Sequence, residues 1–245
     1  EAIAGAERAE RGPEFADGTV WNFEDIANRL VWQGTPGDDN QLWGSEYDDH
    51  IIGYAGNDTI AGLWGNDFIE ADEGDDSIYS GDGDDAVFGG SGNDWIDPGD
   101  GNDVVDGGAG DDVISSRYAP WLLNGRSRNS VLRQGDLTVL FGHGDGHDVV
   151  EITNQRADSN DVIRLKADVA QDDVKLLRNG DDLVLRLADT GDTLTVRRWF
   201  SSATDSEGRI TDPFRVEGII FEDGTRWGVE EIRAGVLIGT EAEDW

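Results

Sequence analysis

A nine-residue pattern recurs between residues 34 and 115 and constrains the fold more than any other feature of the chain. Residues 53–61 read GYAGNDTIA, and the next nine residues, 62–70, read GLWGNDFIE. Nine copies follow one another, with a single extra residue before Leu42 in the first copy. A short fixed period of this kind is the signature of stacked repeats, in which each copy contacts only its neighbours.

Two positions of the nonapeptide keep one chemical character in every copy. The eighth residue is always aliphatic, at Leu42, Ile51, Ile60, Ile69, Ile78, Val87, Ile96, Val105 and Ile114. The sixth residue is always Asp, at Asp39, Asp49, Asp58, Asp67, Asp76, Asp85, Asp94, Asp103 and Asp112. Gly, which permits the positive φ of tight turns, fills the fourth position of every copy except the one with Tyr47. Each copy is therefore predicted to be a six-residue turn followed by a three-residue strand with an inward eighth side chain.

Two copies would complete one coil, so residues 18 apart would lie side by side on successive coils. The sixth-position carboxylates then form one column on each edge. One column contains Asp58, Asp76, Asp94 and Asp112, and the other contains Asp49, Asp67, Asp85 and Asp103. Stacked carboxylates repel each other, and a divalent cation between successive turns would convert this repulsion into cohesion. Calcium suits the position because it accepts about six to eight oxygen ligands, including backbone carbonyls, in flexible geometry.

This pattern resembles the calcium-binding nonapeptide repeat of RTX proteins over about a third of the chain. The resemblance implies a parallel β-roll in which the sixth-position Asp of two stacked turns and turn carbonyls bind each ion. The implied carbonyl ligands are those of Gly56, Gly65, Gly74, Gly83, Gly92, Gly101 and Gly110. One ion between each adjacent pair within a column gives roughly seven calcium ions, if the Asp39 turn binds.

The charge of the chain is concentrated in the repeats. The formal net charge is −34, and residues 34–115 contain 22 acidic residues and no Lys or Arg. Such a surface disfavours nucleic acid and anionic membranes as partners. Without Cys the chain has no disulfides, so we expect metal binding to supply folding energy. No apolar run reaches the length of a membrane span. Without calcium, the alternative is a disordered Gly- and Asp-rich linker.

The regular pattern stops after Ser115 and returns once. Residues 116–140 form a basic and aromatic island that we predict to be an inserted loop, either packed on its own roll or contacting a neighbouring unit or ligand. Residues 143–151, HGDGHDVVE, are a detached tenth copy that adds Asp148 to the predicted ligands. From Asp161 the pattern alternates, and residues 182–187 and 193–196 flank a turn that predicts a hairpin. Another hairpin is predicted within residues 216–227.

The C-terminal part resembles the domain associated with haemolysin-type calcium-binding repeats. The matching features are residues 140–142 leading into the tenth copy, residues 182–185, residues 198–200 and the FEDGTRW motif at 221–227. Residues 15–21, FADGTVW, match that motif, and GTEAED at 239–244 resembles GTPGDD at 34–39. The chain thus reads as one period of about 206 residues from a larger array.

These features predict an all-β fold in which a parallel β-roll of calcium-binding nonapeptide repeats packs with a small antiparallel β domain. We expect four segments. They are the tail of a preceding unit at 1–33, the β-roll at 34–151 with its inserted loop at 116–140, the companion antiparallel β domain at 152–237, and the start of a next repeat block at 238–245.

Outward strand positions carry aromatic residues, and no catalytic motif is evident in the sequence. We expect the rings of Trp43, Phe68, Tyr79, Phe88 and Trp95 to pack under the companion domain or a neighbouring unit, and the alternative is a carbohydrate-binding surface.

The leading hypothesis for function is a non-enzymatic structural or spacer module of a large secreted RTX protein of bacterial adhesin or surface-layer type. Such proteins leave by type I secretion, and this module would fold when it meets extracellular calcium. Its expected partners are calcium, neighbouring units of the same protein and, as an alternative, a glycan or cell-surface ligand. A second hypothesis is the secretion and folding module of an RTX enzyme whose catalytic domain lies outside this chain.

Overall fold

The computed structural model describes residues 30–115, 135–151, 159–201, 203–204, 210–211 and 216–237. Three features expected from the sequence lie outside these residues. They are the FADGTVW motif at residues 15–21, the Arg- and aromatic-rich part of the inserted loop at 116–134, and the repeat-like motif that begins at residue 239.

Successive repeat copies alternate between two long sheets that face each other. The first sheet contains, in spatial order, β1 (Val31–Gln33), β3 (His50–Ile52), β5 (Phe68–Glu73), β7 (Ala86–Ser91), β9 (Asp103–Ala109), β11 (Leu137–Phe141), β13 (Val162–Leu165), β19 (Gly218–Ile220) and β20 (Arg226–Gly228). The second contains β2 (Leu42–Trp43), β4 (Thr59–Trp64), β6 (Ser77–Asp82), β8 (Trp95–Asp97), β10 (Val113–Ser115), β12 (His147–Glu151), β16 (Thr193–Val196), β15 (Asp182–Leu187), β14 (Val174–Asn179) and β21 (Val236–Leu237).

The register of the repeat strands is parallel with an offset of 18 residues, as the sequence predicts. Ile60 pairs with Ile78 in the second sheet, and Ile69 pairs with Val87 in the first. The eighth-position side chains from Ile51 to Ile114 are at most 1% exposed and fill the narrow space between the sheets. Trp32 pairs with Ile51 and takes the equivalent inward position one coil earlier, before the first copy found in the sequence.

Strands of the central coils are longer than predicted. β4, β5, β6 and β7 each have six residues, whereas the nonapeptide suggested three. The parallel pairing continues from the seventh to ninth positions into the glycine-rich part of the next copy, where Leu63 pairs with Gly81 and Trp64 with Asp82. The chain turns within this paired segment, because the second-position residue Leu63 has a φ of 87°.

Both sheets continue beyond the nonapeptides. β11 pairs with β9, and β13 and β19 extend the same parallel stack. In the second sheet, β12 pairs with β10 and then with β16. Residues 137–140, which the sequence assigned to the inserted loop, are therefore part of a strand of the roll. Leu137 and Val139 are 1% exposed, so this segment supplies core side chains despite lacking the repeat motif.

Antiparallel hairpins form the far end of the stack. β15 pairs with both β14 and β16, and β19 pairs with β20, which confirms the two hairpins predicted from alternation. Helix α1 (Val229–Gly235) follows β20, and its Ile232 is buried. A small ribbon, β17 (Ala203–Thr204) with β18 (Ile210–Thr211), completes the described strands. The predicted fold class, a parallel β-roll with antiparallel β structure packed at one end, is confirmed.

Candidate metal centre

The sixth-position Asp residues form two buried columns, one on each edge of the roll. From Asp49 to Asp112 each of these residues is at most 4% exposed. Within a column, Oδ1 of each Asp accepts the backbone N–H of the Asp one coil earlier. Asp58 N lies 2.7 Å from Asp76 Oδ1, and Asp94 N lies 2.8 Å from Asp112 Oδ1. The same bond joins Asp112 N to Asp148 Oδ1 at 3.1 Å, so the detached tenth copy continues this column across the inserted segment.

The second carboxylate oxygen of the inner turns has a different environment. Six Oδ2 atoms are buried without a hydrogen-bond partner, those of Asp58, Asp67, Asp76, Asp85, Asp94 and Asp112. A buried charged oxygen without a partner is costly, because it has lost water and gained nothing in return. The six inner turns therefore each present one oxygen that requires a cation or a proton.

Burial without a cation raises the pKa values of the inner sixth-position carboxyls. Burial, opposed by the backbone hydrogen bond and reinforced by neighbouring carboxylates, raises the pKa of Asp67 to about 8. The same causes raise the pKa of Asp85 and of Asp94 to about 7. For Asp148 burial raises the pKa to about 8. Without a cation, a large share of these groups would be protonated near neutral pH.

Backbone carbonyls lie beside the orphaned oxygens. A Cβ added to the first-position Gly53 would lie 2.7 Å from Asp58 Oδ2 of its own turn and 2.6 Å from the carbonyl oxygen of Ala71 on the next coil. The carbonyl of Gly62 has the same relation to Gly44. At Gly44 and Gly53 the space beside the backbone is therefore filled by the carboxylate of the same turn and by the first-position carbonyl of the next coil, although Ala71, Ser80 and Pro98 occupy the first position in other copies. Sequence reasoning missed these carbonyls because it assigned the ligand role to fourth-position Gly residues only.

The fourth-position glycines from Gly56 to Gly110 stack directly above one another. Gly74 has a φ of 143°, and a Cβ on it would overlap the carbonyl oxygen of Gly56. The equivalent overlap recurs for Gly83 above Gly65 and for Gly101 above Gly83. The carbonyls that the RTX resemblance implies as ligands thus point along the stack toward the neighbouring turn. Their role as ligands remains a prediction.

The two outermost turns are built differently from the inner ones. Asp39 Oδ2 accepts the N–H of Thr35 at 2.5 Å, and Asp49 Oδ2 accepts the N–H of Ser45 at 2.5 Å. Trp32 Nε1 also donates to Asp49 Oδ1 at 2.8 Å. These carboxylates are already satisfied by their own turns, so they have less need of a cation than the inner six.

The columns end where Leu replaces Asp at the sixth position. Leu137 pairs with Asp103 in the first sheet, and Leu194 pairs with Asp148 in the second. One coil beyond Leu137, the buried Asp161 accepts the N–H of Leu137 at 2.7 Å through Oδ1, which reproduces the bond of the repeats. Sequence reasoning did not single out Asp161 as a turn residue, because residues 156–161, RADSND, lack the glycines from which the other copies were recognised.

A lysine compensates the acidic groups where the roll meets the C-terminal hairpins. Lys166 Nζ lies 2.8 Å from Asp106 Oδ1 and 2.8 Å from Asp145 Oδ1. Asp145 is 5% exposed, and its Oδ2 accepts the N–H of Gly142 at 2.7 Å. Burial raises the pKa of Asp145, although Lys166 opposes the shift. At this junction a side chain of the protein supplies the positive charge.

The first histidine of the tenth copy, His143, connects loops instead of facing the columns. His143 Nδ1 lies 3.0 Å from Asp168 Oδ2, and its Nε2 lies 3.1 Å from Asp189 Oδ1. Burial lowers the pKa of His143, but the hydrogen bond to Asp168 and the charge of Asp189 outweigh it, so the net shift is upward. Both ring nitrogens are engaged in tying this turn to the C-terminal hairpins.

The donor set of the inner turns fits calcium. It combines carboxylate and backbone carbonyl oxygens, which are the hard donors that calcium prefers. Within the described residues no three His, Asp or Glu side chains group around a common point. The expectation that two carboxylates and main-chain oxygens hold each ion stays a prediction.

Aromatic side chains on the outer faces contact one another along the stack. The Phe68 ring lies 5.1 Å from His50 and 5.3 Å from Phe88, and Tyr79 lies 4.9 Å from Trp95, measured between ring centroids. Phe68 is 39% exposed. Packing of these rings under another domain or unit remains a prediction. Over the described ranges, the single helix is too short and too polar to be a membrane span.

Comparison with known proteins places two families on the chain. The RTX calcium-binding nonapeptide repeat (4 copies) matches residues 37–69, 62–96 and 88–116, and the haemolysin-type calcium binding protein related domain matches residues 182–231. No curated protein matches the chain.

Among solved structures, the extracellular lipase LipA from Serratia marcescens matches with 16% identity and a TM-score of 0.30. The match covers 80% of this chain, which spans 44% of the length of the lipase, and a likeness of this size carries no argument about function. The family matches coincide with the turns and hairpins described above. The chain therefore carries RTX calcium-binding nonapeptide repeats joined to a haemolysin-type calcium binding protein related domain.

Proposed function

We propose that this chain is a structural or spacer module of a large secreted bacterial RTX protein, and that calcium binding after export completes its fold. The observation that carries the proposal is the set of six buried Oδ2 atoms without a hydrogen-bond partner in two columns of stacked turns. Calcium bound between turns would satisfy these atoms and neutralise the column charge together.

The net charge of the chain supports folding outside the cell and not in the cytosol. With a net charge of −34 the chain repels itself when no cation is bound, which favours an expanded form that can be threaded through a secretion channel. Extracellular modules bind calcium in the range of ~10⁻⁴–10⁻³ M, far above cytosolic concentrations. Binding energy becomes folding energy, because the unfolded chain has no preformed site. The module would therefore stay unfolded inside the cell and stiffen outside.

The arrangement of the ions follows from the columns. The inner turns of Asp58 to Asp112, with Asp148 as the next member, would hold ions along one edge, and those of Asp67 and Asp85 along the other. Asp39, Asp49 and Asp103 would complete the outer turns. One ion between each adjacent pair gives the roughly seven ions expected from the nine contiguous copies, and the pair of Asp112 with Asp148 would add one more.

A spacer role within an adhesin or surface-layer protein is the specific form of this proposal. A roll built from stacked coils is a semi-rigid rod whose length grows with the number of repeats. The secretion and folding module of an RTX enzyme would use the same calcium chemistry, and the two differ in what surrounds this chain. Further units of about 206 residues in the full gene would support the spacer, and an upstream catalytic domain would support the enzyme module.

The first experiment is a calcium titration followed by far-UV circular dichroism, with magnesium as the control cation. We expect a cooperative gain of β signal near millimolar calcium and little gain with magnesium, which demands a stricter geometry and dehydrates reluctantly. A chain with full β signal in chelator at neutral pH would contradict folding on export. It would leave the roll as a constitutive scaffold.

A further inference from the structure

The fifth position of the turns, next to the sixth-position Asp, carries side chains that accept hydrogen bonds from a neighbouring coil. The series of these hydrogen bonds along each edge is called the outer ladder here. The fifth-position residues of one edge are Asp48, Asn66, Asp84, Asn102, Asp136 and Asn160, and those of the other edge are Asp38, Asn57, Asp75, Asn93, Asp111 and, in the tenth copy, His147. In each column, Oδ1 accepts the backbone N–H of the fifth residue on the next coil. Asn66 N to Asp48 Oδ1 measures 2.7 Å, and Asn57 N to Asp38 Oδ1 measures 2.9 Å.

This outer ladder runs in the direction opposite to the inner one. The fifth side chain accepts from the coil that follows it, as in Asp84 N to Asn66 Oδ1 at 2.8 Å. The sixth side chain accepts from the coil that precedes it, as in Asp67 N to Asp85 Oδ1 at 2.8 Å. Two neighbouring turns are therefore joined by two hydrogen bonds of opposite direction, one accepted by the fifth side chain of the earlier turn and one by the sixth side chain of the later turn. The outer ladder needs no cation, because the side-chain oxygens that accept its hydrogen bonds are exposed and water can solvate their charge.

The outer ladder alternates strictly between Asp and Asn from Asp48 to Asn160 on one edge and from Asp38 to Asp111 on the other, where His147 follows. Read along the chain, the fifth positions from Asp38 to Asp111 run D, D, N, N, D, D, N, N, D, so residues 18 apart always differ. No carboxylate of the ladder is stacked on another carboxylate. Two rungs use the amide as well, since Asn93 Nδ2 lies 3.2 Å from Asp75 Oδ1 and Asn102 Nδ2 lies 3.0 Å from Asp84 Oδ1.

We propose that the alternating Asp/Asn ladder is a cation-independent positioning device that sets the spacing of the coils and so brings the sixth-position carboxylates to the distance at which one calcium ion can join two turns. The assignment of calcium to the turns rests on the proposed function, whereas the ladder itself rests on the hydrogen bonds above. Hydrogen bonds alone could be made by Asn or Asp at every rung. Alternation is what prevents a second column of like charges outside the first.

A charge-neutral swap tests the alternation directly. Asn57→Asp with Asp75→Asn, combined with Asn66→Asp and Asp84→Asn, keeps composition and net charge but stacks Asp on Asp once in each column. We expect each like-charge rung to lower the folding equilibrium constant about five-fold at low salt, and the two distant rungs together about 25-fold. Urea unfolding at one fixed calcium concentration, followed by circular dichroism, measures this constant.

Two further measurements show whether the loss of stability comes from the stacked like charges or from the substitutions themselves. Adding Asp38→Asn and Asp48→Asn to the swap removes both like-charge rungs, and we expect it to restore the wild-type constant to within about two-fold. In 1 M salt, where the screening length falls to about 3 Å, the defect of the swap should largely disappear.

An unchanged constant for the swap, a defect that persists in high salt, or a failure of the added substitutions to rescue it would each overturn the proposal. These outcomes are distinct from failure of the proposed function. A chain that folds in chelator would contradict calcium-dependent folding. The same urea comparison could then be made in chelator, and it would still decide the role of the ladder.

Discussion

The repeat coils and the C-terminal extension share two continuous sheets but solve the problem of buried charge differently. In the repeat coils, six turns each bury one carboxylate oxygen that has no hydrogen-bond partner among the described residues; they are the turns of Asp58, Asp67, Asp76, Asp85, Asp94 and Asp112. In the extension, Leu137 and Leu194 occupy the sixth position, and Lys166 supplies a positive charge to Asp145. The same architecture thus leaves carboxylate oxygens open to an external cation in the repeat coils, whereas in the extension the chain's own side chains remove or compensate the buried charge.

If folding depends on calcium as we propose, this difference assigns the dependence to the turns of the repeats and not to the β-roll fold itself. The extension retains the parallel pairing β11–β13–β19 and a core that includes Phe141, Ile163 and Ile219, all fully buried. Its antiparallel hairpins bring contacts that are close in sequence, which form at lower entropic cost than the long parallel stack. The extension is thus the part that is expected to fold first and to offer an edge on which coils can add.

The largest expected effect is a regional loss of structure when calcium is removed. In chelator at neutral pH, amides of β4 to β8 should lose their protection against hydrogen exchange, because the turns that connect these strands repel each other. Amides of β14, β15 and β16 should keep most of theirs. Hydrogen exchange resolved by peptide measures both regions in one sample. Equal loss in both would mean that the two regions form one cooperative unit.

A second effect is a pH dependence of the calcium-free roll that runs opposite to that of most acidic proteins. Folded-state pKa values of about 6 for Asp76 and about 8 for Asp67 lie above the ordinary 3.8, so folding takes up protons. The resulting stabilisation is complete below the unfolded pKa and is lost as pH rises through about 6 to about 8. In chelator, β signal should therefore increase as pH is lowered from about 8 to about 5.

Calcium provides the control for this pH series. Calcium competes with protons for the same oxygens, so at constant total calcium the β signal should hold or rise as pH increases over the same range. A calcium-free sample whose β signal falls on acidification would contradict the raised pKa values of the turn carboxyls.

A third effect distinguishes inner from outer turns. Asp94→Asn leaves the Oδ1 acceptor but removes the charge from an inner turn, and we expect a loss of about 3 kcal/mol in the free energy of unfolding with calcium present. The matched change Asp39→Asn falls on a turn whose Oδ2 already accepts the N–H of Thr35, and we expect under about 1 kcal/mol there. Urea unfolding in calcium measures both. Equal losses would remove the distinction between the two kinds of turn.

The smallest expected effect concerns the junction. Lys166→Met leaves the buried Asp145 without its cation, and because Lys166 itself is 28% exposed we expect a loss of about 2 kcal/mol. The control is Lys175→Met on an exposed strand position, with a change within about 0.5 kcal/mol. The Lys166 effect should be the same in calcium and in chelator, measured on the unfolding of the C-terminal region. A loss seen only with calcium would place Lys166 in the metal sites instead.

Periodicity made the core of the roll predictable. An aliphatic residue at each eighth position fixes both the inward side and the register, and the structure buries these side chains as expected from Ile51 to Ile114. The hairpins of residues 182–196 and 218–228 were predictable because strict alternation and a Gly-containing turn are local signals. Calcium as the ion for the turns followed from the repeated Asp and is supported by the family match.

Features that depend on tertiary pairing were missed or placed wrongly. The turn before β11 keeps one repeat glycine, Gly135, and lacks the rest of the motif, so the place of β11 in the stack was evident only from its pairing with β9. The difference between the turns of Asp39 and Asp58 depends on whether one N–H closes on the carboxylate, which composition does not encode. The Asp/Asn alternation was present in the sequence, but it emerges only when fifth positions are compared across coils and not between adjacent copies.

The alternation also sets the size of a duplication that this roll can accept without penalty. Inserting one nine-residue copy would exchange the two edges for every later turn. Inserting 18 residues would restore the edges but place a like residue on a like residue in the outer ladder, where neighbours are 18 apart. Only 36 residues, two intervals of 18, return both the edge and the Asp/Asn phase to their starting values. An insertion that keeps both the edges and the outer ladder in phase is therefore four copies long, and it would lengthen the roll by two strand spacings, about 10 Å.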